Sequence, residues 1–193
     1  MDRIRFGTAQ DVFDAFDTAA DEIKAAPTEE APLAYLDRLL AEKQPLAALS
    51  FVAYLLPRRE CVWWASQAIR QFAGAGLGVE DETALLAAEA WVREPGDARR
   101  KMALRVIQDA KRRGAGAMCA RAAGWSGGTK FLDEANPALA EPHQTASCAR
   151  AAVLLAIIGK PAKDQIDMMQ SAAAAGAGFA AGGALVFDGP RGG

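Results

Sequence analysis

From Thr8 onward the sequence repeats one pattern: apolar residues spaced three and four apart, in runs cut short by proline or glycine. That spacing places each run on one face of a helix. Short runs in succession can bury their stripes only against one another. Thr8, with Asp11 three positions on, resembles a capping box, and Val12, Phe13, Phe16, Ala20 and Ile23 follow as the stripe of a first helix. Pro32, Pro45 and Pro57 each open another, since a residue lacking an N–H suits the turn where that N–H would have no partner. Leu33, Leu36, Leu39 and Leu40 stripe the second helix; Leu46, Leu49, Val52, Leu55 and Leu56 stripe the third.

Gly74–Gly78 reads as a connector. Further helices are expected over about Glu80–Arg93, with Leu85, Ala88 and Val92 inward and Glu89 facing water, and over about Asp97–Arg113, with Met102, Ala103, Val106, Ile107 and Ala110 inward. Ala115–Ala123, Gln144–Ile158 and a run from Ile166 into an alanine tract complete the set, with an irregular stretch from Gly124 to about Pro142. Convincing strand alternation is absent; Ala184–Phe187 suits a short extended piece. The expected fold is all-α, a compact domain of about eight or nine short antiparallel helices. Its expected limits are residues 1–170, with an Ala/Gly-rich C-terminal helix and flexible tail over 171–193.

Composition closes several functional classes. At 51% hydrophobic and 24% charged residues the chain is globular rather than disordered. A net charge of -2 gives no global attraction to nucleic acid or membrane. Cys61, Cys119 and Cys148 are widely spaced and His143 is the sole histidine, so neither a disulfide framework nor an ordinary zinc site is expected. Buried free thiols in a reducing cytosol fit better. The N-terminal residues carry no apolar h-region, and no secretory signal is expected. Ala172–Phe187 is uncharged and carries a Gly178-x-x-x-Gly182 spacing. Alanine and glycine transfer little apolar surface, so a closely packed helix is expected there rather than a membrane span.

Leu55–Phe72, LLPRRECVWWASQAIRQF, is the most distinctive stretch. Adjacent side chains on a helix diverge by about 100°, so Trp63 and Trp64 cannot share a direction. With Val62, Ala65, Ala68, Ile69 and Phe72 they make this helix apolar round most of its circumference, which suits burial on several sides. Arg58 and Arg59 lie in its first turn, where the helix dipole disfavours positive charge. Either an acid compensates them or they present themselves to a partner; arginine's planar fork suits both.

Gly124-Trp125-Ser126-Gly127-Gly128 matches G-x-S-x-G, but a nucleophile elbow needs a strand before its serine, and the preceding residues read as a helix. The glycines at 74, 76 and 78 and at 176, 178 and 182 follow no strand either, so no nucleotide loop is read. No catalytic residues, metal or cofactor are expected. Between Arg93 and Arg121 the segment holds Arg99, Arg100, Lys101, Arg105, Lys111, Arg112 and Arg113 against few acids. This basic patch is a candidate surface for RNA or another anion, although aromatics are not interleaved with it.

Leu55-Leu56-Pro57-Arg58-Arg59-Glu60-x-Val62-Trp63-Trp64-Ala65 resembles the signature of a bacterial all-helical family of unknown function. Ala88-Glu89-Ala90-Trp91-Val92, the Ala123–Gly128 turn and Ala151–Ala156 fit it in order, from about residue 10 to 170. Members are often encoded near type VI secretion genes. The resemblance implies a cytoplasmic, non-enzymatic adaptor or chaperone-like accessory that binds a secretion component or effector. Arg58, Arg59, Trp64, Trp125 and Ser126 are the expected partner-binding residues, and an RNA- or anion-binding module using 93–121 is the alternative. No membrane span is expected.

Overall fold

A computed structural model of the chain describes residues 3–109, 114–133, 135 and 137–189; for Ala75 and Asp109 it describes the backbone alone. It is all-helical, with ten α-helices among the described residues. In chain order they are α1 (Ala9–Ala15), α2 (Ala19–Ile23), α3 (Pro32–Ala41), α4 (Pro45–Leu55), α5 (Arg58–Ala73), α6 (Val79–Arg93), α7 (Asp97–Asp109), α8 (Ala115–Gly124), α9 (Gln144–Ile157) and α10 (Ala162–Ala180). A 3₁₀ turn at Gly74–Gly76 is the expected connector. The described residues form two compact units, one drawn from 1–57 and 157–190, the other from 58–156. α10 runs unbroken through position 171.

In the first unit α4 is the central helix, packed against α2, α3 and α10. Every residue from Ala47 to Leu55 is buried, as a helix apolar all round should be. Ser50, the polar exception, returns its hydroxyl to the Leu46 carbonyl at 2.8 Å. The capping box forms as expected, with Thr8 Oγ1 accepting from Asp11 N–H at 3.1 Å and Asp11 Oδ2 accepting from Thr8 N–H at 2.8 Å. The expected single first helix is nevertheless two. Phe16 takes an extended conformation at the end of α1 and sets its ring edge-on against Tyr54, 5.2 Å between centroids. Thr18 then shares a 2.8 Å hydrogen bond with the Tyr54 hydroxyl. Aromatic packing overrides helical spacing here.

The alanine tract of α10 packs on α4 and α3. Its G-x-x-x-G spacing is not a helix-packing motif: a Cβ on Gly178 would meet nothing within 4 Å. Gly182 instead has φ +97° just past the helix end. Gly183 N–H donates to the Gly178 carbonyl at 2.9 Å and Gly182 N–H to Phe179 at 3.0 Å, the paired bonds of a Schellman cap. Arg3 completes this end, its N–H on the Ala180 carbonyl at 3.0 Å and its guanidinium 4.0 Å over the Phe179 ring.

In the second unit α8 packs against α5, α6 and α7. It can do so because its sequence, AGAMCARAAG, is nearly all small residues. A Cβ on Gly116 would lie 1.9 Å from the Asp81 carbonyl oxygen in α6, and one on Gly124 would lie 2.5 Å from Leu104 Cδ2 in α7. Asp81 exploits the approach, accepting from Ala117 N–H at 3.0 Å and so capping α8 from a neighbouring helix. Gly116→Ala is therefore expected to push α6 and α8 apart and cost on the order of 3 kcal/mol, at the upper end for overpacking, measured by urea unfolding. In contrast, Gly96→Ala, with open space around it, should leave the midpoint almost unchanged.

Candidate functional site

The segment after α8 is where separate parts of the second unit converge. α8 closes with Trp125 N–H on the Arg121 carbonyl at 2.8 Å and Ser126 N–H on Ala123 at 3.2 Å. Arginines from two other helices then hold the turn by its carbonyls. Arg58, at the start of α5, donates to Ser126 at 2.7 Å. Arg100, in α7, donates through Nη1 to Gly124 at 3.1 Å and Thr129 at 2.9 Å, while its Nε and Nη2 rest on Asp97 Oδ1 at 2.9 and 2.6 Å. Gly128 is required by this arrangement: its φ is +63°, and a Cβ there would sit 3.1 Å from the Arg100 guanidinium. A short antiparallel bridge between Thr129 and Leu139 closes the base of the loop.

These contacts resolve the arginine pair. Arg59 donates to the Val92 carbonyl, in the last turn of α6, at 2.7 Å, as Arg58 does to the turn ending α8. The positive charge that the N-terminus of α5 disfavours is satisfied by the negative ends of neighbouring helices. Neither arginine needs an acid. Both remain exposed along part of their length, but a charge reversal at either would break a structural bond and report on folding as well as binding.

The other expected site residues divide. Trp64 is completely buried, so the expectation that it contacts a partner is corrected: it is core, as its helix's apolar circumference demands. Trp125 is half-buried; its indole N–H donates to the Lys130 carbonyl at 3.1 Å, and the Arg121 guanidinium lies 5.1 Å from its ring centroid. Ser126 follows the helix α8 rather than a strand, which is not the setting of a nucleophile elbow.

The basic patch also changes. Arg100 is 7% exposed and committed to the turn, Arg99 pairs with Glu94 at 2.9 Å and Lys101 with Asp97 at 2.9 Å. Lys101, and then Arg100, hold the Asp97 carboxyl below its ordinary range. Arg105 is exposed; Ala110, Lys111, Arg112 and Arg113 lie outside the described residues. The α7 stripe is rotated from the expected one: Leu104 is buried beside Ala103, while Met102 is 45% exposed.

Glu89, expected in water, is buried. It accepts from Arg70 Nε at 3.0 Å and lies 3.5 Å from Arg93, and Arg70 also pairs with Glu82 at 2.6 Å. The carboxylates, Glu89 foremost, hold Arg70 well above the usual guanidinium range. The three cysteines are buried and free, as expected, and burial pushes the Cys61 and Cys119 thiols far up, which leaves them unreactive. Among the described residues no cluster is placed to hold a metal ion, and no helix is long and apolar enough to cross a membrane.

What sequence reasoning missed is a cleft of about 320 Å³ beside Trp125. Leu104, Ile107 and Gln108 of α7 form one wall, Arg121 and Trp125 another, and Lys130–Asp133 a third. Phe131 at its rim is 46% exposed. The available signal was Phe131-Leu132, an adjacent pair of large apolar residues in the loop. It showed no periodicity, and only the fold brings it opposite α7.

The family model of a family of unknown function (DUF6931) matches residues 35–180. No curated protein and no solved structure matches the chain.

Proposed function

The chain belongs to this family of unknown function, and we propose that it is a non-enzymatic helical interaction protein whose docking site for a partner protein is the cleft beside Trp125. The observation that carries this reading is the pairing of an apolar cleft with a rigid frame. Trp125 and Phe131 sit on a turn whose carbonyls are held by Arg58 and Arg100. Aromatic residues held in place lose little entropy on binding and are common interface anchors. Arg58 and Ser126 then serve the interface by shaping the turn, and Arg59 by fixing α5 to α6.

The setting we propose is a cytoplasmic adaptor or chaperone-like accessory of a type VI secretion system. Its support is the resemblance of the Leu55–Ala65 signature and the segments that follow it. The RNA- or anion-binding alternative has less in its favour, because Glu94 and Asp97 engage Arg99, Arg100 and Lys101.

The test is a tagged pull-down from native cells, nuclease-treated, comparing the natural chain with Phe131→Glu. Phe131 is at the rim, so the variant should keep its melting temperature. A single partner protein recovered by the natural chain and lost from the variant is the expected result. Equal recovery by both, or recovery only of nucleic-acid-dependent proteins, would overturn the reading.

A further inference from the structure

We infer that the cleft beside Trp125 takes the C-terminal end of a partner polypeptide, an apolar last residue with its free α-carboxylate held by Arg121. The inference rests on the cleft being a docking site and specifies the chemistry of its occupant.

Arg121 differs from the arginines around it. Arg58, Arg59, Arg70 and Arg100 are committed to carbonyl or carboxylate oxygens. The contacts of Arg121 are soft: Met118 Sδ at 3.9 Å and the face of Trp125. Its Nε is buried with no hydrogen-bond partner. A buried donor left unmade is costly; Arg121 lines the cleft, and the guanidinium fork is matched to a carboxylate. Lys130 lines the same cleft. The one carboxylate among the described lining residues is Asp133, whose Oδ1 accepts from Ala135 N–H at 2.9 Å. Two cations against one anion leave the described lining residues net positive.

Size narrows the occupant further. The cleft's 320 Å³ equals about ten water volumes, room for the last one or two residues of a chain. Within so small a space the carboxylate and the apolar group it meets must come from the same or adjacent residues. A C-terminal residue carries both on one Cα, and capture of a chain-end carboxylate is a recurrent recognition mode. Leu104, Ile107 and Trp125 then receive the side chain, and Arg121 reads the terminus.

The experiment is fluorescence anisotropy on the full chain with labelled peptides Gly-Ser-Gly-Ser-Xaa, Xaa being Leu, Ile, Val, Phe or Ser, each as free acid and as C-terminal amide. Free acids ending in an apolar residue should bind, and their amides should bind about tenfold or more weakly, the size of a lost charged hydrogen bond. Arg121→Gln should bind acid and amide alike, and Arg121→Lys should restore part of the difference. Acid and amide binding the natural chain equally, the Ser peptide matching the apolar ones, or no peptide binding would each overturn the inference. Because the acid–amide comparison uses the natural chain, it holds whether or not an Arg121 variant folds. Failure here with a partner still lost from Phe131→Glu in the pull-down sinks the chain-end chemistry alone. A partner indifferent to Phe131→Glu sinks the docking site itself.

Discussion

Arg70→Ala should destabilise the protein by about 3 kcal/mol, the low end of the range for stranding a buried charge, since Glu89 is buried but Arg70 is part-exposed. The asymmetry within the network decides which substitution matters. Glu89 has a side chain only 6% exposed, against 34% for Arg70 and 39% for Glu82. Removing Arg70 strands a carboxylate away from water, with Arg93 at 3.5 Å and itself 65% exposed as its remaining cation. Removing Glu82 strands nothing, since both groups there reach solvent, and such a pair is worth about 0–1 kcal/mol. The ordering Arg70→Ala far above Glu82→Ala, with Arg70→Ala partly rescued by Glu89→Gln, is expected from urea unfolding of the four proteins. Equal small effects for both single variants would show that Glu89 is not buried as described. Because the network joins α5 to α6, the loss would be one of folding.

Trp64→Ala is the second large effect, about 3–5 kcal/mol for emptying a fully buried tryptophan site. Trp64 is 0% exposed and among the largest buried side chains, whereas its neighbour Trp63 is half-buried. Trp63→Ala should therefore cost clearly less, and the comparison of thermal midpoints separates the two. Given that a domain's whole stability is about 5–15 kcal/mol, a Trp64 variant that folds with an unchanged midpoint would contradict its place in the core.

The helices were legible because proline, glycine and apolar spacing act locally. Pro32 and Pro45 open α3 and α4 where expected. The misreadings arose where tertiary contacts override the local signal. The first helix breaks at Phe16 because Tyr54, distant in sequence, claims its ring. Glu89, four residues after Leu85 and three before Val92, shares their face of α6; its charge points to water, but Arg70 reaches it from α5 and keeps it in place. Gly182 matched a packing motif and turned out to be a helix cap.

The site was legible in part, for the same reason. Trp125 and Arg58 stand out in the sequence, and both meet the same turn. The bond from Arg58 to the Ser126 carbonyl, 68 positions along the chain, has no sequence signature, because any residue offers that carbonyl. The cleft needed α7, α8 and the loop assembled before Phe131 and Arg121 could be seen to share it.

The most direct test of the docking site is site-specific photocrosslinking in native cells, with the photoreactive residue at Phe131 and, as control, at Val79, which is 85% exposed and is not a cleft residue. A discrete adduct formed from position 131 and not from 79, attached through the last residues of the captured protein, is the result this account predicts. No adduct at 131, or the same adducts from both positions, would contradict it.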